Sequence, residues 1–201
     1  DSFSKHNVHA TVDESLANLK AVSDEANKDG IKIRGYVSTV FGCPYEGKVS
    51  LDRVMSICDA LFTYGCYEVS LGDTIGVATP GQVNEIIPLL KKNFDLSKIA
   101  FHFHDTRGVA LANVMTAYSE GARIFDASAG GLGGCPYAPG ATGNVATEDL
   151  VYVFDSLGIK TGIDLTKLLD ASQFILTTLG KRSPSRLVRA LRKTEGAYCE
   201  Y

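Results

Sequence analysis

Two stretches of this 201-residue chain hold residue types that do chemistry, at spacings that matter. In Phe101-His102-Phe103-His104-Asp105 two histidines stand two positions apart. On a strand, positions i and i+2 point to one face. At about 3.3 Å per residue their Cα atoms lie ~6.6 Å apart, close enough for two imidazoles to converge on one cation. Phe101 and Phe103 would then fill the opposite, apolar face. Hydrogen-bonded core histidines give the same pattern, and the placement at a strand end favours the metal. Two imidazoles leave an octahedral divalent ion in need of oxygen ligands. Asn144 offers an amide oxygen, or it caps the helix that starts near Ala146; spacing alone does not choose between the two. Asp105 reads better as a helix cap than as an acceptor for an imidazole N–H.

The second stretch runs from Gly130 to Asn144 and holds six glycines, two prolines and one cysteine, with no charge between Asp126 and Glu148. A buried strand or helix does not tolerate that composition, so the segment is a loop, and long loops on rigid scaffolds concentrate function. Cys135, between Gly134 and Pro136, is predicted to be a catalytic thiol rather than a structural one. Near its own pKa a thiol is a reasonable proton donor, and glycines on either side allow the loop to hinge. The remaining cysteines (Cys43, Cys58, Cys66 and Cys199) are scattered without zinc-ligand spacing and read as reduced thiols.

Strands and helices must position these residues, and the chain alternates between them. Helices are predicted over 12–28, from Ser50 to Gly65, from Thr79-Pro80 onward, over 107–120 and over 147–157. Strands are predicted over 31–41, 66–71, 98–104 and 123–127. Strands separated by helices indicate βαβ units and a parallel sheet. Candidate functional residues recur at the C-terminal ends of successive strands: Ser70 and Asp73, His102 and His104, then Ser128 and the glycine loop. An open doubly wound sheet would use one switch point, whereas a barrel uses every strand end. Four strands are half of the eight that a (β/α)8 barrel needs. The expected fold is therefore α/β, the C-terminal half of a TIM barrel with a C-terminal helical extension. In this reading residues 1–201 form one partial barrel domain, with an active-site loop over 130–144 and terminal helices over 164–193.

Composition excludes several partners. With 45% hydrophobic residues there is material for one sizeable core, and a net charge of −3 argues against nucleic acid or an anionic membrane. No apolar run reaches the ~20 residues of a membrane-spanning helix. The first residues, Asp1 to Asn7, lack the basic and apolar regions of a signal peptide, which predicts a protein that is not secreted.

His102-Phe-His-Asp-Thr106, followed by Gly108 and Ala110-Leu-Ala-Asn113, resembles the metal-binding strand of the metal-dependent barrel lyases and Claisen-type synthases. Ser70-Leu-Gly-Asp-Thr-Ile-Gly76 with Thr79-Pro-Gly81 resembles the sixth-strand motif of the same group. Gly131-Leu-Gly-Gly-Cys-Pro-Tyr-Ala138, Gly140, Gly143-Asn144 and Ala146-Thr-Glu-Asp-Leu150 are similar to the signature of the 3-hydroxy-3-methylglutaryl-CoA lyases. Gly35-Tyr-Val-Ser38 and Phe41-Gly-Cys-Pro-Tyr-Glu-Gly47 match that family too. The resemblance runs from Ser2 to about Gly180. The sister synthases share the His-x-His strand but lack the cysteine loop.

What the resemblance implies is a carbon–carbon lyase that cleaves 3-hydroxy-3-methylglutaryl-CoA to acetyl-CoA and acetoacetate, a step of leucine and ketone-body metabolism. It implies a Mg2+ or Mn2+ ion held by His102, His104 and Asn144, with Cys135 and His102 as proton-handling groups. Tyr36, Ser70, Asp73 and Thr74 would line the acyl pocket. A fourth protein ligand is implied, an aspartate in an Arg-Asp pair on the first barrel strand, and no such pair occurs in these residues. The implied partners are an acyl-CoA substrate and further copies of the chain in a dimer or tetramer. The implied compartment is a bacterial cytoplasm or a mitochondrial matrix. The alternatives are a related Claisen-type synthase or aldolase of the same barrel, or a non-catalytic fragment.

Overall fold

Four strands with one apolar and one polar face organise the chain. A computed structural model describes residues 1–134 and 143–191. Its strands are β1 (Ile33–Val37), β2 (Cys66–Asp73), β3 (Ile99–Phe103) and β4 (Ile124–Asp126). They pair in parallel, in the sheet order β1-β2-β3-β4. Between them run α3 (Leu51–Thr63), α4 (Pro80–Asn93) and α5 (Ala110–Ser119), preceded by α1 (Ser2–Val8) and α2 (Val12–Lys28). After β4 come α6 (Thr147–Ser156), α7 (Leu165–Thr178) and α8 (Arg186–Leu191). Every strand neighbours its predecessor and the order never reverses, which is the wall of a barrel and not the switch point of a doubly wound sheet. The fold is α/β, half of a (β/α)8 barrel with a C-terminal helical extension.

The alternation of side chains explains which face of this sheet α3, α4 and α5 cover. Val69, Leu71, Ile99, Phe101 and Phe103 are fully buried. They meet Val54, Cys58 and Leu61 of α3, Val83, Ile86, Ile87 and Leu90 of α4, and Val114 and Ala117 of α5 in one apolar core. The opposite parity carries Arg34 and Tyr36, Glu68 and Ser70, His102, and Asp126. In the ladder Arg34 pairs with Glu68, Tyr36 with Ser70, Gly72 with His102, and His102 with Asp126. The barrel's inner face is thus polar. Among the described residues no helix is long and apolar enough to cross a membrane.

Local signals set the helix starts. Thr79 and Gln82 form a reciprocal capping box ahead of α4, whose first residue is Pro80. Thr11 and Glu14 do the same for α2. Two predicted elements are shorter than the sequence suggests. The strand expected over 31–41 ends at Val37, because Thr39 turns left-handed at φ 58°. There its N–H is held by the Thr74 hydroxyl at 2.7 Å, while Val40 donates to the Gly72 carbonyl. The helix expected from Arg107 begins at Ala110, since Arg107 reaches back to the carbonyls of Ile75 and Gly76. Asp105 accepts the Ala110 N–H at 2.9 Å and so starts α5. Helix α1, with no apolar periodicity, has no counterpart in the sequence reading.

Phe101 lies at the centre of the core, flanked by Phe103 and Phe125 at ring distances of 5.7 and 6.4 Å. Phe101→Ala is expected to destabilise the fold by about 3–5 kcal/mol in a urea titration, the usual cost of emptying a fully buried aromatic site.

Candidate functional site

The site forms where the chain returns from the glycine loop and inserts between two strand ends. Val145 donates to the Phe103 carbonyl, Asp105 to Gly143, Ser128 to Val145 and Thr147 to Ser128, all at 3.0–3.2 Å. Residues 143–147 are thereby stitched between the ends of β3 and β4. The stitch makes His104 and Asn144 partners in an antiparallel bridge. Side chains facing each other across such a pair have Cβ atoms ~4.5–5.5 Å apart.

The neck of the loop is tight at two glycines. Gly133 (φ +92°) and Gly143 (φ +104°) occupy backbone that other residues rarely adopt. A Cβ on Gly143 would fall on the Gly133 carbonyl oxygen, and one on Gly133 would lie 2.7 Å from Asn144 Nδ2. Cys135 lies outside the described residues.

His102 and His104 come to one side of the strand end, with ring centroids 5.2 Å apart. Asn144 Nδ2 donates to the Leu132 carbonyl at 2.8 Å, which fixes the amide across the neck. It does not cap the following helix: the residue before α6 is Ala146, and no side chain caps it. Two buried polar atoms in this cluster have no partner, His104 Nδ1 and Asn144 Oδ1. Burial lowers the His104 pKa and the neighbouring His102 lowers it further, while Asn144 and the Thr74 backbone act the other way. The neutral ring, with a free lone pair, is favoured. An imidazole nitrogen and an amide oxygen lacking partners on adjacent positions form a donor set that fits a divalent cation. Among the described residues no group of three or more His, Cys, Asp and Glu side chains is placed to hold a metal. The candidate set is therefore two imidazoles and an amide.

Next to the histidines lies a charged cluster that motif reading missed. Arg34 donates to Glu68 at 2.5 Å, to both oxygens of Asp126 at 2.7 and 3.1 Å, and to the Tyr36 hydroxyl. Ser70 donates to Asp126 Oδ2 at 2.6 Å, and His102 Nδ1 stands 3.4 Å from the same oxygen. Burial pushes the Asp126 carboxyl upward. The bonds from His102, Arg34 and Ser70 outweigh it and hold the group well below the usual carboxylate range. For Arg34, burial opposes the charge, and the bonds to Asp126, Glu68 and Tyr36 raise its pKa regardless.

The other residues singled out from sequence take distinct places. Tyr36 is exposed on the inner face, and Ser70 is buried beneath it. Thr74 ties the turn after β2 to the turn after β1 through Thr39. Asp73 shares the parity of Val69 and Leu71, is buried, and accepts the Val77 N–H at 2.8 Å. The structure therefore joins Tyr36, Ser70, His102, His104 and Asn144 on one face, with Asp73 behind its own turn. In Thr147-Glu148-Asp149-Leu150 the two acids anchor backbone. Glu148 is fully buried and accepts the Gly130 N–H at the root of the loop. Asp149 accepts from the Ser185 hydroxyl and from the N–H groups of Arg186 and Leu187, which docks α8.

Burial pushes the Asp73 carboxyl up to about 6, against hydrogen bonds from the Val77, Ala78 and Gly76 backbone and the charge of Arg107. The folded chain then binds this proton more tightly than the unfolded chain, so stability is fullest below the ordinary aspartate value and declines as pH rises through about 6. Asp73→Asn keeps an acceptor for Val77 and is expected to flatten that decline. Chemical denaturation of both proteins between pH 4 and 8 checks it; parallel curves would contradict the assignment.

A family model described as HMGL-like matches residues 1–175. Hydroxymethylglutaryl-CoA lyase YngG of Bacillus subtilis is 48% identical over 194 residues, which cover 96% of this chain and 65% of that protein. The mitochondrial hydroxymethylglutaryl-CoA lyase of Bos taurus is 48% identical over 191 residues, 95% of this chain and 59% of that protein. The chain thus spans less than two thirds of the length of these relatives. Among solved structures, an HMG-CoA lyase from Acinetobacter baumannii in complex with coenzyme A and 3-methylmalate superposes with a TM-score of 0.88 at 40% identity. That match covers 98% of this chain and 64% of the other. With a matched family model over most of its length and relatives at this identity, the chain belongs to the HMGL-like family.

Proposed function

We propose that this chain forms the metal-binding half of a 3-hydroxy-3-methylglutaryl-CoA lyase. The observation that carries the reading is the pair of buried, unpartnered donor atoms on bridged positions, His104 Nδ1 and Asn144 Oδ1. Near identity of half to lyases of that name supplies the substrate, and the coenzyme A complex of a 40% identical lyase supports an acyl-CoA ligand. His102, His104 and Asn144 would hold a Mg2+ or Mn2+ ion. When bound, such an ion would supply Lewis-acid polarisation of the substrate's oxygens.

The chain's own residues handle the protons. The tertiary hydroxyl loses its proton as the carbon–carbon bond breaks, giving acetoacetate and leaving the electron pair on the thioester carbon as an enolate. The Cys135 thiol returns a proton to that carbon, which yields acetyl-CoA. The thiolate recovers the hydroxyl's proton through His102 and solvent, so the balance closes. Tyr36, Ser70 and Thr74 line the acyl side of the pocket from the ends of β1 and β2, and Asp73 shapes it through its turn.

The test is cleavage of 3-hydroxy-3-methylglutaryl-CoA by the protein, with Mg2+ or Mn2+ and after chelation. Activity lost to chelator and restored by either ion is expected; no cleavage with both ions supplied would overturn the reading. His104→Ala is expected to weaken Mn2+ binding, by calorimetry, by at least the ~10–100-fold that loss of an outer partner costs. Cys135→Ala is expected to lower kcat by roughly 10²–10⁴ while leaving the thermal midpoint and cation affinity in place. A lower midpoint with near-normal turnover would make that cysteine structural instead.

A further inference from the structure

We propose that Asp126 is the positioning residue for His102: its carboxylate holds the ring by Nδ1, so that Nε2 keeps its lone pair for the cation. The inference rests on His102 being a cation ligand, as proposed above. It starts from register. His102 and Asp126 are direct Cα partners on neighbouring strands, and Nδ1 lies 3.4 Å from Oδ2. An ionised carboxylate only accepts, so the nitrogen that faces it must carry the ring's proton. A neutral imidazole has one proton, which leaves Nε2 free.

The carboxylate has no freedom to turn away. Arg34 grips both of its oxygens, and Ser70 donates to Oδ2 at 2.6 Å. Arg34 is itself fixed by Glu68 at 2.5 Å. All four strands contribute to this clamp: Arg34 from β1, Glu68 and Ser70 from β2, His102 from β3 and Asp126 from β4. A plain ion-pair cluster needs Arg34 and a carboxylate only. The additional features, the hydroxyl and the imidazole converging on one oxygen, point to control of the ring.

Asp126→Asn tests the idea because Arg34 will hold the amide oxygen and turn the NH2 group toward His102. Nδ1 must then accept, and the proton moves to Nε2, where it blocks a metal. Two readouts are taken. The first is the tautomer of His102 by 15N NMR of histidine-labelled, cation-free protein at a pH where the ring is neutral; the second is Mn2+ affinity by calorimetry. The wild type is expected to show Nδ1–H. Asp126→Asn is expected to show Nε2–H and to bind Mn2+ about 10–100-fold more weakly, while Asp126→Glu retains Nδ1–H. A wild-type ring protonated at Nε2 overturns the proposal, even if no variant folds. An Asn variant that loses only thermal stability, with tautomer and affinity kept, overturns it as well. Failure of the wild type to bind Mn2+ at all is a separate result, which removes the metal site of the proposed function and this role with it.

Discussion

The backbone stitch of residues 143–147 between β3 and β4 is the constraint on which the site depends. Four main-chain hydrogen bonds fix the segment, and each contributes on the order of 1 kcal/mol. Their geometric effect matters more than their sum. A loop rich in glycine has many conformations to lose, and its returning end would otherwise wander. Locked into the sheet edge, that end carries Asn144 to the position opposite His104. His104 and Asn144 are therefore brought together by main-chain pairing. Glu148 secures the other root of the loop through Gly130, so both stems are held while the span between them carries Cys135.

A half-barrel of this kind must solve a problem of polarity on its inner face. Charged groups brought together away from water are costly unless each meets an opposite charge or a hydrogen bond. Arg34, Glu68 and Asp126 satisfy one another, and the Ser70 hydroxyl takes a further lone pair of Asp126. Asp73 is the contrasting case. It is buried with Oδ2 unpartnered and, among the described residues, has no ion pair, and burial shifts its carboxyl upward. Both groups are aspartates at strand ends; parity decides which joins the network and which is left behind a turn.

That contrast also explains what was legible in the sequence. The strand–helix order, the barrel topology and the His-x-His pair depend on local periodicity, and the structure shows all three. Helix starts marked by Thr11 and Thr79 are equally local. The end of β1 was not readable, because the β-branched run continues to Val40 while the turn is set by Thr74, thirty-five positions away. Arg34, Glu68 and Asp126 escaped notice for the same reason. On its own strand each is one more polar residue in an alternating pattern, and only strand register unites Arg34 with Asp126 across 92 positions. Asn144 was ambiguous from spacing, and what keeps it from capping the helix is its bond to Leu132 across the loop neck.

The energetics of the two orphan atoms add the last step. An unsatisfied buried donor or acceptor costs about 1–3 kcal/mol, so a fold seldom keeps two of them side by side. Here the alternatives were close at hand. The amide of Asn144 already uses its NH2 group on Leu132, which leaves its oxygen as an acceptor with no donor to meet. His104, kept neutral by burial, presents a nitrogen in the same condition. A neighbouring hydroxyl would satisfy one of these atoms and a cation would satisfy both. Among the described residues no hydroxyl is bonded to either atom: Ser70 donates to Asp126, and the Thr74 oxygen accepts from the Thr39 N–H. What the fold withholds from these two lone pairs is a proton donor, and an electron-pair acceptor such as the divalent ion proposed above would engage an imidazole and an amide together.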